Sequence, residues 1–201
     1  MSQSETAATD DNHTMTPAEF VQAWNGDKDE DTLVRFTAAS LESSGLSAGT
    51  CAFLSEAGLP SDAAPFLSFA SRDNLTIPSM TTVYGVPEEF KPYRIIGSDG
   101  EGSPICIDTS TDHIELLDHE WNFKRILMNS TVALLAETLS EYRTIGRKAR
   151  ELRGPDAWIN NDIPVSLIDQ FEERLRRVDE PALTEGSFWR QEIVNLRAGP
   201  Y

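Results

Sequence analysis

The sequence lacks the features that mark exported or membrane-bound proteins. The first fourteen residues, MSQSETAATDDNHT, contain no basic stretch followed by an apolar one. Nowhere do about 18 consecutive apolar residues occur, which is the length that a membrane-spanning helix requires. Neither a signal peptide nor a membrane span is therefore predicted, and we expect the protein to be cytoplasmic.

Cysteine and histidine are also scarce. Cys51 and Cys106 stand 55 positions apart in apolar surroundings, without the close second ligand pair that a zinc site needs. The reducing cytosol favours two free, buried thiols over a disulfide. Of the three histidines, only His113 and His119 lie outside the predicted N-terminal tail, and along a strand they would be about 20 Å apart, too far to share a metal. We expect neither a metal nor a cofactor.

Motifs that carry enzymatic chemistry are missing as well. The patterns G-x-S-x-G, H-E-x-x-H, G-x-x-x-x-G-K and G-x-G-x-x-G do not occur. The loop Ser98–Ser103 has oxygen ligands and glycines, but it lacks the spacing and the distal glutamate of a calcium loop. The triplet Asp118-His119-Glu120 could begin an acid-base site, although such a triplet at a strand end is more typical of a solvated turn. The sequence favours a non-enzymatic protein, with a small hydrolase using His119 and Glu120 as an alternative.

Basic residues are outnumbered, and the imbalance is uneven along the chain. The net charge is −16. Residues 1–60 and residues 61–120 each contribute −8, whereas residues 121–201 hold twelve acids and twelve bases. Such a field repels nucleic-acid phosphate and anionic lipid, and it speeds encounter with a cationic surface. The acidity indicates either a basic protein partner or a solubility device.

What the chain does contain is enough for a folded core. Hydrophobic residues make up 39% and charged residues 25% of the 201 residues, which is typical of a globular protein that buries roughly 70% of its unfolded surface. The strand and helix patterns predict an α+β fold with a mainly antiparallel sheet. We expect a disordered tail over residues 1–15 and one domain over residues 16–201, of which residues 149–201 form a helical C-terminal extension.

Local patterns place the elements of this fold. Thr16 and Glu19 form a capping box, and Ser47 can cap a second helix, whereas the pattern over residues 33–46 is ambiguous. Residues 65–69 and three or four segments between residues 93 and 129 read as strands, with Gly100 and Gly102 supplying positive φ in a hairpin. Helices are predicted after Asn129 and Ser130, which read as N-cap residues, after Pro164, and over residues 187–198.

Among the four tryptophans, Trp24, Trp121, Trp158 and Trp189, core packing is expected for most. Trp158 stands beside Asn160 and Asn161 in a segment rich in proline and asparagine, so it is the predicted exposed one and a candidate interface residue.

Several ordered motifs resemble one known family. They are Gly58-Leu59-Pro60, A-P-F-L-S-F from Ala64, Y-R-I-I-G-S-D-G-E-G-S-P-I-C-I-D from Tyr93, H-I-E-L-L-D-H-E and M-N-S-T-V-A-L-L-A. Together they resemble the SUKH superfamily of bacterial immunity proteins, and most of all its fourth group, which occurs in polymorphic toxin systems. The likeness covers residues 53 to about 145.

The resemblance implies an α+β fold with a central sheet flanked by helices, and a role in binding a cognate toxin, frequently a nuclease, inside the producing cell. It implies no catalytic residues, and Gly97, Asp99, Asp108 and Asn129 read as turn and cap residues. A regulatory or scaffold role is the alternative within the superfamily. Together with the acidity, the resemblance predicts that the partner is a toxin with a basic surface. It predicts neither a nucleic acid nor a membrane as a partner. The predicted partner-binding residues are Asp99, Glu101, Asp112, Glu115, Asp118, Glu120 and Trp158.

Overall fold

The structure, a computed structural model, describes residues 14–25, 32–69 and 76–200. Within them the chain forms the helices α1 (Pro17–Asn25), α2 (Ala38–Glu42), α3 (Ala48–Glu56), α4 (Met80–Tyr84), α5 (Val132–Arg153), α6 (Val165–Val178) and α7 (Phe188–Arg197). Its strands are β1 (Leu33–Val34), β2 (Leu59–Pro60), β3 (Asp62–Ala63), β4 (Leu67–Phe69), β5 (Tyr93–Ser98), β6 (Pro104–Asp108), β7 (Ile114–Asp118) and β8 (Lys124–Asn129). The predicted α+β class is confirmed. The predicted disordered tail lies outside the described residues except for residues 14 and 15.

Strands β3 to β8 form one six-stranded sheet in sequence order, and every neighbouring pair is antiparallel. Short turns join the last four strands, and a short connection can only return the chain beside itself in the opposite direction. This confirms the predicted meander. Strands β1 and β2 form a separate antiparallel pair, so the ambiguous stretch over residues 33–46 resolves into a short strand followed by helix α2.

One face of the sheet carries the main core. Strand alternation turns Ile105, Ile107 and Ile114 toward the helical layer, where they share a cluster with Leu135 and Leu139 of α5. Helix α6 packs against α5, and helix α7 packs against α6. The main core thus includes the helices of the predicted C-terminal extension.

Two fully buried aromatic side chains anchor those last helices. Phe171 of α6 and Trp189 of α7 lie 5.8 Å apart between ring centroids, and each also packs against Tyr142 of α5. Removing such a ring from a core typically costs about 3–5 kcal/mol. The C-terminal helices therefore stabilise the same domain as the sheet.

A buried polar network joins the sheet to these helices. Asn129, at the end of β8, donates through Nδ2 to Thr138 Oγ1 (3.0 Å) and Asp179 Oδ2 (2.9 Å). Its Oδ1 accepts from the indole N–H of Trp189 at 2.9 Å. The prediction that Asn129 and Ser130 cap the following helix is wrong, because Thr131 occupies the N-cap and accepts from the N–H of Leu134. Asn129 serves the core instead.

The other face of the sheet carries a smaller apolar cluster. Tyr93, Cys106 and Leu117 point to this side, and Met80 of α4 and Phe90 cover them. Both faces of β6 and β7 are therefore covered.

Candidate partner-binding surface

Three turns of the six-stranded sheet lie together at one end. Because neighbouring strands are antiparallel, the β3–β4, β5–β6 and β7–β8 connections all fall on the same side. The β6–β7 turn, residues 109–113, lies at the opposite end. We define the tip surface as residues 64–66, 99–103 and 118–124, the three turns with the strand residues that flank the last of them.

The β5–β6 hairpin is held by the side chain at its start. Asp99 Oδ1 accepts from the N–H groups of Glu101 (3.0 Å) and Ser103 (2.8 Å), and the Asp99 N–H donates to the Ser103 carbonyl at 3.0 Å. This confirms that Asp99 is a turn residue. Glu101, at the crest of the loop, is exposed to solvent.

The two glycines of this hairpin have different roles. Gly102 has φ of +91°, as predicted, but Gly100 is not in the left-handed region, so that part of the prediction is wrong. The N–H of Gly102 bonds to the Asp99 carbonyl, and in such a turn only the last residue must be left-handed. Gly100 is small for another reason: a Cβ there would lie 3.0 Å from the Cβ of Phe66.

The β7–β8 turn is built in a similar way. Asp118 Oδ1 accepts from the N–H groups of Glu120 (3.0 Å) and Trp121 (3.3 Å), which closes a 3₁₀ turn over residues 119–121. The chain then passes through two left-handed residues, Asn122 and Phe123. Phe123 turns inward, 5.2 Å from the ring of Tyr84. Because Phe123 takes the inward position, Trp121 is left 72% exposed.

A serine and a histidine link these two turns. Ser103 Oγ lies 2.8 Å from His119 Nδ1 and accepts from the His119 backbone N–H at 3.3 Å. Ser103 is buried, so its hydroxyl faces its partner rather than a substrate. The arrangement therefore supports a structural role for His119 in fixing one turn against the next.

Phe66 completes the tip surface from the β3–β4 turn. Its side chain is 84% exposed and its φ is +64°. Leu67 and Phe69 of β4 are buried, whereas Phe66 precedes the strand and its side chain stays in solvent. The predicted strand over residues 65–69 is thus confirmed only from Leu67 onward, and Phe66 belongs to the turn.

The predicted partner-binding residues fall into separate groups. Four of them meet on the tip surface: Asp99, Glu101, Asp118 and Glu120. Asp112 lies at the opposite end, where its carboxylate accepts from the hydroxyl of Thr50 at 3.3 Å.

Glu115 lies on the smaller-cluster face of β7, half-buried rather than projecting into solvent. The hydroxyl of Tyr93 donates to its Oε2 at 3.0 Å. Burial raises the pKa of the Glu115 carboxyl, and the Tyr93 hydrogen bond and the Arg125 charge offset part of this effect. Arg125 also lies 5.1 Å from the centroid of the Tyr93 ring. Glu115 is therefore engaged within the protein.

The expectation that Trp158 is the exposed tryptophan is wrong. Trp158 is half-buried, and its ring lies 4.9 Å from that of Tyr142 on α5. Gly146 of α5 makes the room, because a Cβ there would lie 3.0 Å from the indole. Loop composition alone predicted that Trp158 is exposed and did not identify Trp121 or Phe66. Two sequence features could have indicated the exposure of these residues: a second aromatic residue, Phe123, near Trp121, and the alternation of Leu67 and Phe69 beside Phe66.

The remaining predictions concern the two cysteines, metal binding and membrane spans. Cys51 and Cys106 are free thiols, Cys106 buried and Cys51 half-buried, and burial raises the pKa of the Cys106 thiol well above its usual range. Among the described residues, no three His, Cys, Asp or Glu side chains are grouped so as to hold a metal ion. In the same ranges, no helix is both long and apolar enough to cross a membrane.

Comparison with known proteins gives one match. No curated protein sequence and no solved structure matches the chain significantly. A protein-family model, that of the SUKH-4 immunity proteins, matches residues 16–195, which span both the sheet and the last helices. The chain therefore belongs to the SUKH-4 immunity protein family.

Proposed function

We propose that this protein is a non-enzymatic immunity protein that binds a cognate toxin with a basic, nuclease-type surface in the cytoplasm of the producing cell. The observation that carries the proposal is the acidity of the first 120 residues, which hold the whole net charge of −16, in a member of an immunity protein family. A toxin that cleaves nucleic acid must present positive charge to phosphate, and an acidic protein complements that surface.

The described surface supports this proposal. The acidic sheet region ends in turns that present exposed carboxylates, whereas the C-terminal helices pair most of their charges internally. Glu172, for example, contacts Arg176 (2.7 Å), Arg190 (3.3 Å) and Arg197 (2.7 Å). Most of the uncompensated negative charge therefore belongs to the part of the molecule that precedes α5.

The test uses the purified product of the gene adjacent to this chain's gene, inactivated at its catalytic site. We expect the two proteins to co-purify and the association rate to fall steeply as NaCl rises from about 50 to 300 mM, because steering is screened over about 8 Å at physiological salt. The dissociation rate should change much less. An absence of binding would overturn the proposed function, and an association rate indifferent to salt would remove the basic partner from it and leave the acidity as a solubility device.

A further inference from the structure

We propose that the tip surface is the face that docks the toxin, with Trp121 and Phe66 as its apolar anchors and Glu101 and Glu120 as its steering charges. The inference rests on the proposed function and adds the location of the interface and the separate roles of its aromatic and acidic residues. It commits to one occupant: a protein with a cationic surface that has apolar depressions for two aromatic rings.

The two aromatic side chains are the first reason. Trp121 and Phe66 are 72% and 84% exposed; Trp121 lies in a turn closed by its N–H bond to Asp118 Oδ1, and Phe66 lies in the turn closed by the Ala63–Leu67 strand pair. A large ring held in a fixed turn loses little conformational entropy on binding, and aromatic residues dominate the energetics of interfaces. Leaving two such rings in water gives nothing to the stability of the isolated chain, whereas burying them against a partner is favourable.

The spacing of the anchors fits a standard interface. The β3–β4 and β7–β8 turns are separated by four strand spacings, which places them about 19 Å apart at ~4.8 Å per strand. A typical interface covers about 800 Å² on each partner, so both anchors fall within one patch. The Ser103–His119 contact fixes two of the three turns relative to each other.

The charge of the same patch selects the partner. The tip surface holds four carboxylates, those of Asp99, Glu101, Asp118 and Glu120, against one ammonium group, that of Lys124. Asp99 and Asp118 use an oxygen each to hold the turns, whereas Glu101 and Glu120 are exposed and extend toward a partner. This combination attracts a basic protein and repels a nucleic acid.

Exposed apolar side chains also occur in the helical half, but the charge there is balanced. Ile159 is 76% exposed and Leu152 is 66% exposed. Nearby charges form pairs, such as Arg147 with Glu151 at 3.1 Å and Arg153 with Asp162 at 3.9 Å. A cationic partner has no electrostatic reason to choose that face, and Ile159 therefore provides a matched control.

The experiment measures the association and dissociation rates of the inactivated neighbouring-gene toxin on the wild-type chain and on two pairs of variants. The anchor pair compares Trp121→Ala with Ile159→Ala. We expect Trp121→Ala to speed dissociation about 30-fold or more, the range of an interface hot spot, with Phe66→Ala in the same direction and Ile159→Ala within about twofold of wild type.

The charge pair compares Glu101→Lys/Glu120→Lys with Glu180→Lys/Glu185→Lys, which changes two exposed acids beside the C-terminal helices. The first should slow association about tenfold at low salt and lose most of that effect at high salt, whereas the second should change little. All the substituted side chains are exposed, so circular dichroism should stay that of wild type, and the two charge variants, which remove the same amount of negative charge, should have similar melting temperatures. Hydrogen exchange on the wild-type complex provides a readout without mutation: the amides of residues 100–102 and 119–123 should gain protection.

The outcomes separate the two proposals. If the wild-type chain does not bind the toxin, the proposed function fails. If the wild-type chain binds but the tip variants match their controls and the tip amides gain no protection, the docking inference fails and the function stands. Loss of affinity on Ile159→Ala or on the Glu180 and Glu185 reversals, with the tip variants unaffected, would place the interface on the helical half instead.

Discussion

Two glutamates, Glu115 and Glu172, experience opposite environments in this fold. Burial raises the pKa of Glu115. The pKa of Glu172 is lowered, mainly by its hydrogen bond from Arg197; burial opposes this shift, and the hydrogen bond from Arg176 adds to it. Because a shifted pKa changes stability with pH, the two residues should act with opposite signs.

Glu115→Gln should change the pH dependence of stability in favour of the variant. Because the folded-state pKa of Glu115 is raised, the contribution of this residue to the free energy of unfolding falls as pH rises. The fall begins near pH 4.3, the ordinary pKa of glutamate, and continues through the raised value. Glutamine can still accept from Tyr93 and carries no charge to bury. In urea unfolding between about pH 4 and 7, the free energy of unfolding of the variant should therefore increase relative to that of wild type as pH rises. A difference that shrinks with rising pH would contradict the raised pKa of Glu115.

Glu172→Gln should behave in the reverse way. The wild-type carboxylate contributes stability above about pH 4.3 that is lost as pH falls through its lowered folded-state pKa. The variant should therefore be less stable than wild type at neutral pH, and the difference should narrow toward low pH in the same unfolding series. A difference that does not depend on pH would mean that Glu172 acts through packing and not through its charge.

Asn129→Ala should be strongly destabilising. The substitution leaves the indole N–H of Trp189 and the carboxylate of Asp179 short of partners inside the protein, and each such group costs about 1–3 kcal/mol. We expect a loss of about 3 kcal/mol in urea denaturation. Asn160→Ala, at an exposed position, is the control and should stay within about 0.5 kcal/mol of wild type. Equal effects of the two changes would show that the network adds nothing.

At the scale of elements, the sheet depends on a close approach between β4 and β5. A Cβ on Gly97 would lie 2.4 Å from the carbonyl oxygen of Ser68 and 2.9 Å from Cδ1 of Phe69. Only glycine permits these two strands to pair at this point. Gly49, on α3, is the opposite case. Apart from its two chain neighbours and the backbone of its own helix, no atom lies within 4 Å of a Cβ added there.

Gly97→Ala and Gly49→Ala should therefore change stability in opposite directions. The first forces β4 away from β5 and should cost about 2 kcal/mol, the scale of an overpacked core. The second replaces glycine in a helix without a clash and should stabilise by about 0.5 kcal/mol. Thermal unfolding of the two variants provides the comparison, and a melting temperature for Gly97→Ala at or above that of wild type would refute the close approach.

At the scale of the whole molecule, the charge of −16 has two consequences that respond to salt in opposite ways. Repulsion between like charges disfavours the compact state, and salt screens that repulsion. The melting temperature of the isolated chain should thus rise as NaCl is raised from about 10 to 200 mM, while association with a basic toxin slows. A falling melting temperature would mean that the exposed ion pairs of α6 and α7 outweigh the excess negative charge.

The sequence by itself determined the features that depend on near neighbours. The caps of α1 and α3 and the apolar spacing of α5, α6 and α7 involve residues three or four positions apart, and strand alternation involves residues two apart. The charge asymmetry needs only counting. These local patterns were sufficient to predict the α+β class, the meander and, with the family motifs, the immunity protein family.

The tertiary structure alone decided which surfaces exist. The sequence predicts a helix cap at Asn129, whereas in the fold its side chain bonds to three other side chains. These partners are 9, 50 and 60 residues away in the sequence. Trp158 is covered because Gly146 leaves room for it, and Trp121 is exposed because Phe123 fills the inward position. Four of the predicted acids meet on the tip surface only because antiparallel strands return alternate turns to the same end. Exposure and proximity depend on contacts between distant segments, and local pattern does not encode them.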